Sequence, residues 1–148
     1  MNRIALLALL ASMLLLVAAC GGGEKKGEEE EGGAANAQAL GACNGAALTE
    51  TPKLPAGFPM VEDTTFTKQS TRGPTEVVEG YWSGGLEDAH DEYKKELEAA
   101  GYDIVFDELE DHDSEVSWKG EGRTGQVALR EDCGDSDKIY VHITNRPA

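Results

Sequence analysis

Between Thr75 and Thr144 the apolar residues keep two different spacings, and the switch between them constrains the fold more than any other feature. Leu86, Ala89, Tyr93, Leu97 and Ala100 recur every three or four positions, which places them on one face of an α-helix. Ser83-Gly84-Gly85 precedes this stretch as a helix start, Glu87 and Asp88 suit the amino end of the helix dipole, and Gly101 suits its end. Asp91 and Lys95 stand four apart as an expected ion pair.

Around that helix the period is two. Phe58, Met60 and Val61 open an expected first strand running to about Lys68, after a segment in which Pro52, Pro55 and Pro59 forbid a helix. Arg72-Gly73-Pro74 is a turn signal, and Thr75–Trp82 is rich in β-formers, so the two runs predict a hairpin. Beyond the helix, Tyr102, Ile104 and Phe106 alternate with polar neighbours, as do Val116 and Trp118, Val127 and Leu129, and Ile139, Val141 and Ile143. Gly120–Arg123 and Cys133–Asp137 separate them as turns. The expectation is an α+β domain in the order ββαββββ, one helix packed on one face of an antiparallel sheet, with the other face wet.

The amino-terminal forty residues do not share this patterning. Met1-Asn2-Arg3 is a short positive start, and Ile4–Ala19 is apolar except for Ser12, which is short for a membrane span of about twenty residues and suited to a signal peptide. The segment ends in Val17-Ala18-Ala19-Cys20, which resembles the lipobox of bacterial lipoproteins. The resemblance implies cleavage before Cys20, a lipid thioether on Cys20, and acylation, commonly with palmitate, of its new amino group. Several acyl chains make a lasting anchor, since each buried methylene contributes roughly 0.8 kcal/mol. Residues 21–39 (GGGEKKGEEEEGGAANAQA) lack apolar periodicity and read as a disordered acidic tether of roughly 25 Å. The expected organisation is therefore 1–19 signal peptide, 20–39 lipidated cysteine and linker, and 40–148 globular domain.

With Cys20 assigned to lipid, Cys43 and Cys133 remain as an even pair in an exported chain, and a disulfide between them is inferred. A bridge across about ninety residues contributes roughly 4–5 kcal/mol in the chain-entropy treatment. A reactive thiol is the alternative, although neither cysteine sits in a Cys-x-x-Cys motif or beside a histidine.

The helix ending in Leu97-x-x-x-Gly101-Tyr102, followed by meandering strands, resembles small envelope-lipoprotein domains such as those of the outer-membrane assembly lipoproteins. That resemblance implies a helix laid on an antiparallel sheet. It carries no functional residue across.

The formal charge is −15, and Arg3 is the only charge before Cys20, so the mature chain would carry −16. Such a field disfavours nucleic acid and favours cationic partners. The acidic run Asp107–Asp113 around His112, and Asp132, Asp135 and Asp137, contain the oxygen ligands Ca²⁺ takes, with Asp111, Asp113, Asp135 and Asp137 as the candidates; neither matches an EF-hand, and the simpler reading is solvated loops. His90 is expected to face solvent on the helix and His142 to point away from the core. Serine, histidine and aspartate are all present, but no G-x-S-x-G occurs, so no catalytic residue and no cofactor is assigned. With Trp118 inward beside Val116, and Tyr81 and Trp82 on opposite sides of their strand, one of these aromatics is expected on the outer sheet face near Tyr140 and His142, suited to a partner or glycan; the simpler reading packs it against loops or the Pro-rich segment. The functional expectation is a non-enzymatic envelope lipoprotein, held to a membrane by its lipid with the domain outside the cytoplasm, binding a protein or cell-wall component. An acidic inhibitor of a basic exported enzyme, such as a cell-wall hydrolase, is the alternative.

Overall fold

The computed structural model describes the backbone of residues 28–148 and the side chains from residue 35 onward. The expected signal peptide, the lipobox-like Val17–Cys20 and the first residues of the expected linker lie outside the described residues.

Two helices and six strands follow in the order α1 (Glu28–Cys43), β1 (Thr64–Arg72), β2 (Thr75–Ser83), α2 (Leu86–Ala99), β3 (Asp103–Leu109), β4 (Asp113–Gly120), β5 (Arg123–Arg130) and β6 (Lys138–Pro147). The strands form one antiparallel sheet in the spatial order β1-β2-β6-β5-β4-β3. The class is α+β, dominated by the sheet, but the order ββαββββ is corrected by a helix at its amino end.

One sheet face packs on α2 as expected. Leu86, Ala89, Tyr93 and Leu97 bury against Val78, Trp82, Val116, Trp118, Val127, Leu129, Ile139, Val141 and Ile143. Helix α2 ends as its sequence specifies, with Gly101 at φ 86° and the Tyr102 amide donating to the Leu97 carbonyl at 3.0 Å. Trp118 lies across Gly125, its cross-strand partner, where a Cβ would stand 2.5 Å from the indole. Lys95 pairs with Glu92 and Glu96, not with Asp91.

Three expectations change. Residues 28–39, read as disordered linker, are helical, and α1 docks its last turns on the opposite sheet face, where Ala39, Ala42 and Cys43 meet Tyr140, Tyr81 and Cys133. Alanine and glutamate favour helix, and neighbouring tertiary contacts supply what the apolar pattern lacks. That face is therefore covered along β2 and β6 instead of being wet throughout. The first strand begins at Thr64, because the prolines hold Phe58–Val61 in a loop whose Phe58 and Val61 still reach the core. Finally, a bulge between Ile104 and Phe106 inserts one extra residue, so Ile104 opposes Trp118 while Phe106 opposes Ser117. The alternation slips by one, and Phe106 turns out to the far face.

Candidate functional site

Side chains on the far face come from alternate positions of β2, β6, β5 and β4, where Glu79 opposes His142, Tyr81 opposes Tyr140, and Gln126 opposes Thr144 and Ser117. Helix α1 crosses the β2–β6 half. Under it, Glu79 is only 3% exposed. The Tyr140 hydroxyl and the Gln38 amide each donate to Glu79 Oε1 at 2.6 Å, and Lys68 Nζ stands 3.7 Å from the other oxygen. Burial pushes this carboxyl up, but the bonds from Tyr140 and Gln38, with the charges of Lys68 and His142, outweigh it and hold it below the ordinary range. Burial and the Glu79 carboxylate push the Tyr140 hydroxyl up. His142 is pushed down by burial; Glu79 opposes this, and Arg130 and Arg72 reinforce it.

Beyond α1 the far face is open. One depression of about 310 Å³ is lined by Arg72, Arg130, His142, Tyr140 and Gln126 among others, with Glu115 and Asp132 at its side. A second, of about 520 Å³, is lined by Phe106, Val105, Thr144, Ser117, Gln126 and Arg146 among others. Gln126 lines both, so the two depressions adjoin, and together they make a trough-like surface from α1 towards the β3 edge. At the β3 end Val105 and Phe106 are 54% and 47% exposed.

The sequence contains the members of a Ser-His-Asp set, and the fold does bring one set together. His90 Nδ1 lies 2.7 Å from Ser114 Oγ, and its Nε2 lies 3.1 Å from Asp107 Oδ1, while Lys94 pairs the other oxygen, Oδ2. His90, expected to face solvent, is 5% exposed, and Ser114 is 2% exposed between α2 and the sheet. A nucleophile in that position has no room for a substrate carbonyl. The set fastens α2 to β3 and β4 and satisfies polar groups that the core would otherwise strand.

Cys43 and Cys133 are joined, with their Cα atoms 5.4 Å apart, which ties the end of α1 to the β5–β6 turn. Asp111 and Asp113 sit at the β3–β4 turn, while Asp135 and Asp137 sit at the β5–β6 turn. Among the described residues no three or more His, Cys, Asp or Glu side chains converge as a metal-binding group. His112 bonds Glu131 Oε2 at 2.9 Å, and that bond raises its pKa above the ordinary imidazole value. No described helix is long and apolar enough to cross a membrane. Sequence reasoning missed the trough, because it depends on α1 docking and on the bulge that exposes Phe106. No family model, no curated protein and no solved structure matches the chain.

Proposed function

We propose that this chain is a non-enzymatic binding module of the cell envelope, lipid-anchored through Cys20, that engages a cell-wall component with the far face of its sheet. The observation that carries this reading is the trough beyond α1, where an aromatic ring and a valine remain exposed on an otherwise well-packed domain. Large apolar side chains grouped beside polar ones in a surface depression mark a recognition surface more often than a solvated one. The burial of Ser114 removes the His90–Ser114–Asp107 set as a catalytic site. The resemblance of Val17–Cys20 to a lipobox supports the anchor and the placement outside the cytoplasm.

Photo-crosslinking from position 106 in membranes of the producing cell tests this reading. The expected product joins position 106 of the full chain to a cell-wall component, and the same photoreactive group at position 95, on the α2 side of the sheet, captures none. Recovery of no envelope component would overturn it. Capture of a basic exported enzyme, released steeply by salt, would favour the inhibitor reading instead.

A further inference from the structure

The distribution of positive charge separates the trough from the remainder of the surface. All six lysines with described side chains stand within 4.0 Å of a carboxylate: Lys53 with Glu76, Lys68 with Glu79, Lys94 with Asp107, Lys95 with Glu92, Lys119 with Asp103 and Lys138 with Asp135. Arg123 donates from Nε to the Asn145 side chain at 2.7 Å. The three remaining described arginines are Arg72, Arg130 and Arg146, and none forms an ion pair or side-chain hydrogen bond with a described residue. All three line the two adjoining depressions of the far face. In a chain with 28 acidic and 13 basic side chains, cations without a partner among the described residues are not expected to collect on one trough by chance.

Resting on the binding-module reading, we infer that the trough takes a carboxylate-bearing saccharide, with Arg72, Arg130 and Arg146 receiving its carboxylates and Phe106 receiving a sugar ring. The guanidinium fork matches a carboxylate with two parallel hydrogen bonds, and the residue type is therefore as informative as its charge. Glu115 and Asp132 line the same depression as Arg130, and Glu115 is engaged by the Gln126 amide at 2.9 Å. Arg72 lines that depression too, so Arg146, in the depression without carboxylates, carries more of the anion recognition than either.

A saccharide fits this surface better than an acidic peptide. The trough lies on a sheet face, where the backbone groups of β4, β5 and β6 are consumed in ladders on both sides. Over these strands an occupant meets side chains only; the free edge of β3 lies at the rim, so an extended peptide across the face would find no backbone partner beneath it. Hydroxyls and an amide from Thr75, Ser117, Thr144 and Gln126 suit a polyhydroxylated ligand, and the exposed Phe106 ring suits the apolar face of a pyranose.

Calorimetric titration of the full mature chain with a short oligogalacturonate tests the inference, with its fully methyl-esterified form and poly-L-glutamate as comparators. Binding is expected for the oligogalacturonate, weakening with salt, and not for the ester. Arg72→Gln and Arg146→Gln should each weaken it about tenfold, the loss of one charge-assisted bond. Phe106→Ala should weaken it by a comparable factor, whereas Lys95→Gln, on the opposite side of the sheet, should leave it unchanged. Unaltered melting temperatures in these exposed variants confirm that folding is not what changed. Equal binding of the ester, equal or tighter binding of poly-L-glutamate, or no binding of oligogalacturonate would each overturn the saccharide inference. If position 106 still crosslinks to an envelope component in that last case, the binding-module reading stands and only its ligand class falls.

Discussion

Glu79 is the residue whose environment carries the most consequence. A carboxylate this deeply placed would be expelled or protonated without partners, and Tyr140, Gln38 and Lys68 supply them. Tyr140→Phe removes a donor to a charged acceptor and should destabilise the fold by about 1.5–3 kcal/mol, read from urea unfolding. Acid should act in the same direction. Glu79 ionises more readily folded than unfolded, so its contribution is complete above the ordinary value of 4.5 and is lost as pH falls through its lower folded value. His142 resists protonation when folded, so the unfolded chain gains protons first below its ordinary 6.5, and stability falls there too. His112 opposes both: its raised pKa stabilises below 6.5 and fades as pH rises through the folded value, but its full exposure keeps that contribution small. The unfolding midpoint should therefore drop as pH falls from 7 to well below 4.5. His142→Gln should flatten the upper part of that drop and Glu79→Gln the lower part; a curve unchanged by either variant would refute the assignment.

At the scale of elements, α2 and the strands from β2 onward were legible in the sequence, because each depends on short-range periodicity and turn residues, whereas the pairing of β2 with β6 was not. Gly101 at positive φ and the L-x-x-x-G-Y ending illustrate this local determination. Helix α1 was not legible. Its residues show no amphipathic stripe, and its docking rests on small side chains meeting Tyr140 and on the bond from Thr67 Oγ1 to the Ala42 carbonyl at 2.7 Å. The cysteine pairing was readable from the count, but not that it would clamp a helix. Reduction of Cys43–Cys133 should lower stability by about 2–5 kcal/mol. It should also accelerate amide exchange in residues 35–43 more than in α2; uniform acceleration would contradict a local clamp. Gly125 makes a second element-level prediction. Gly125→Ala drives a methyl into the Trp118 indole and the Thr144 carbonyl, 2.1 Å from the added carbon, and should cost about 1–3 kcal/mol by thermal unfolding.

Across the whole molecule the net charge of −15 works against compactness. Each described lysine is spent on a neighbouring carboxylate, and the excess of acids repels. Raising sodium chloride from about 20 to 300 mM shortens the screening length from roughly 20 Å to 6 Å and should raise the melting temperature by a few degrees. A fall would show that the ion pairs dominate over the net repulsion.

The sequence alone determined the α+β class, helix α2, the hairpins and the cysteine pair, since periodicity, turn chemistry and residue counts act over a few neighbouring positions. Tertiary structure decided the second helix layer, the burial of His90 and Ser114, the outward turn of Phe106 and the gathering of Arg72, Arg130 and Arg146. Those features join residues up to a hundred positions apart, and a single-residue bulge or a helix without an apolar stripe leaves no periodic trace from which they could be read.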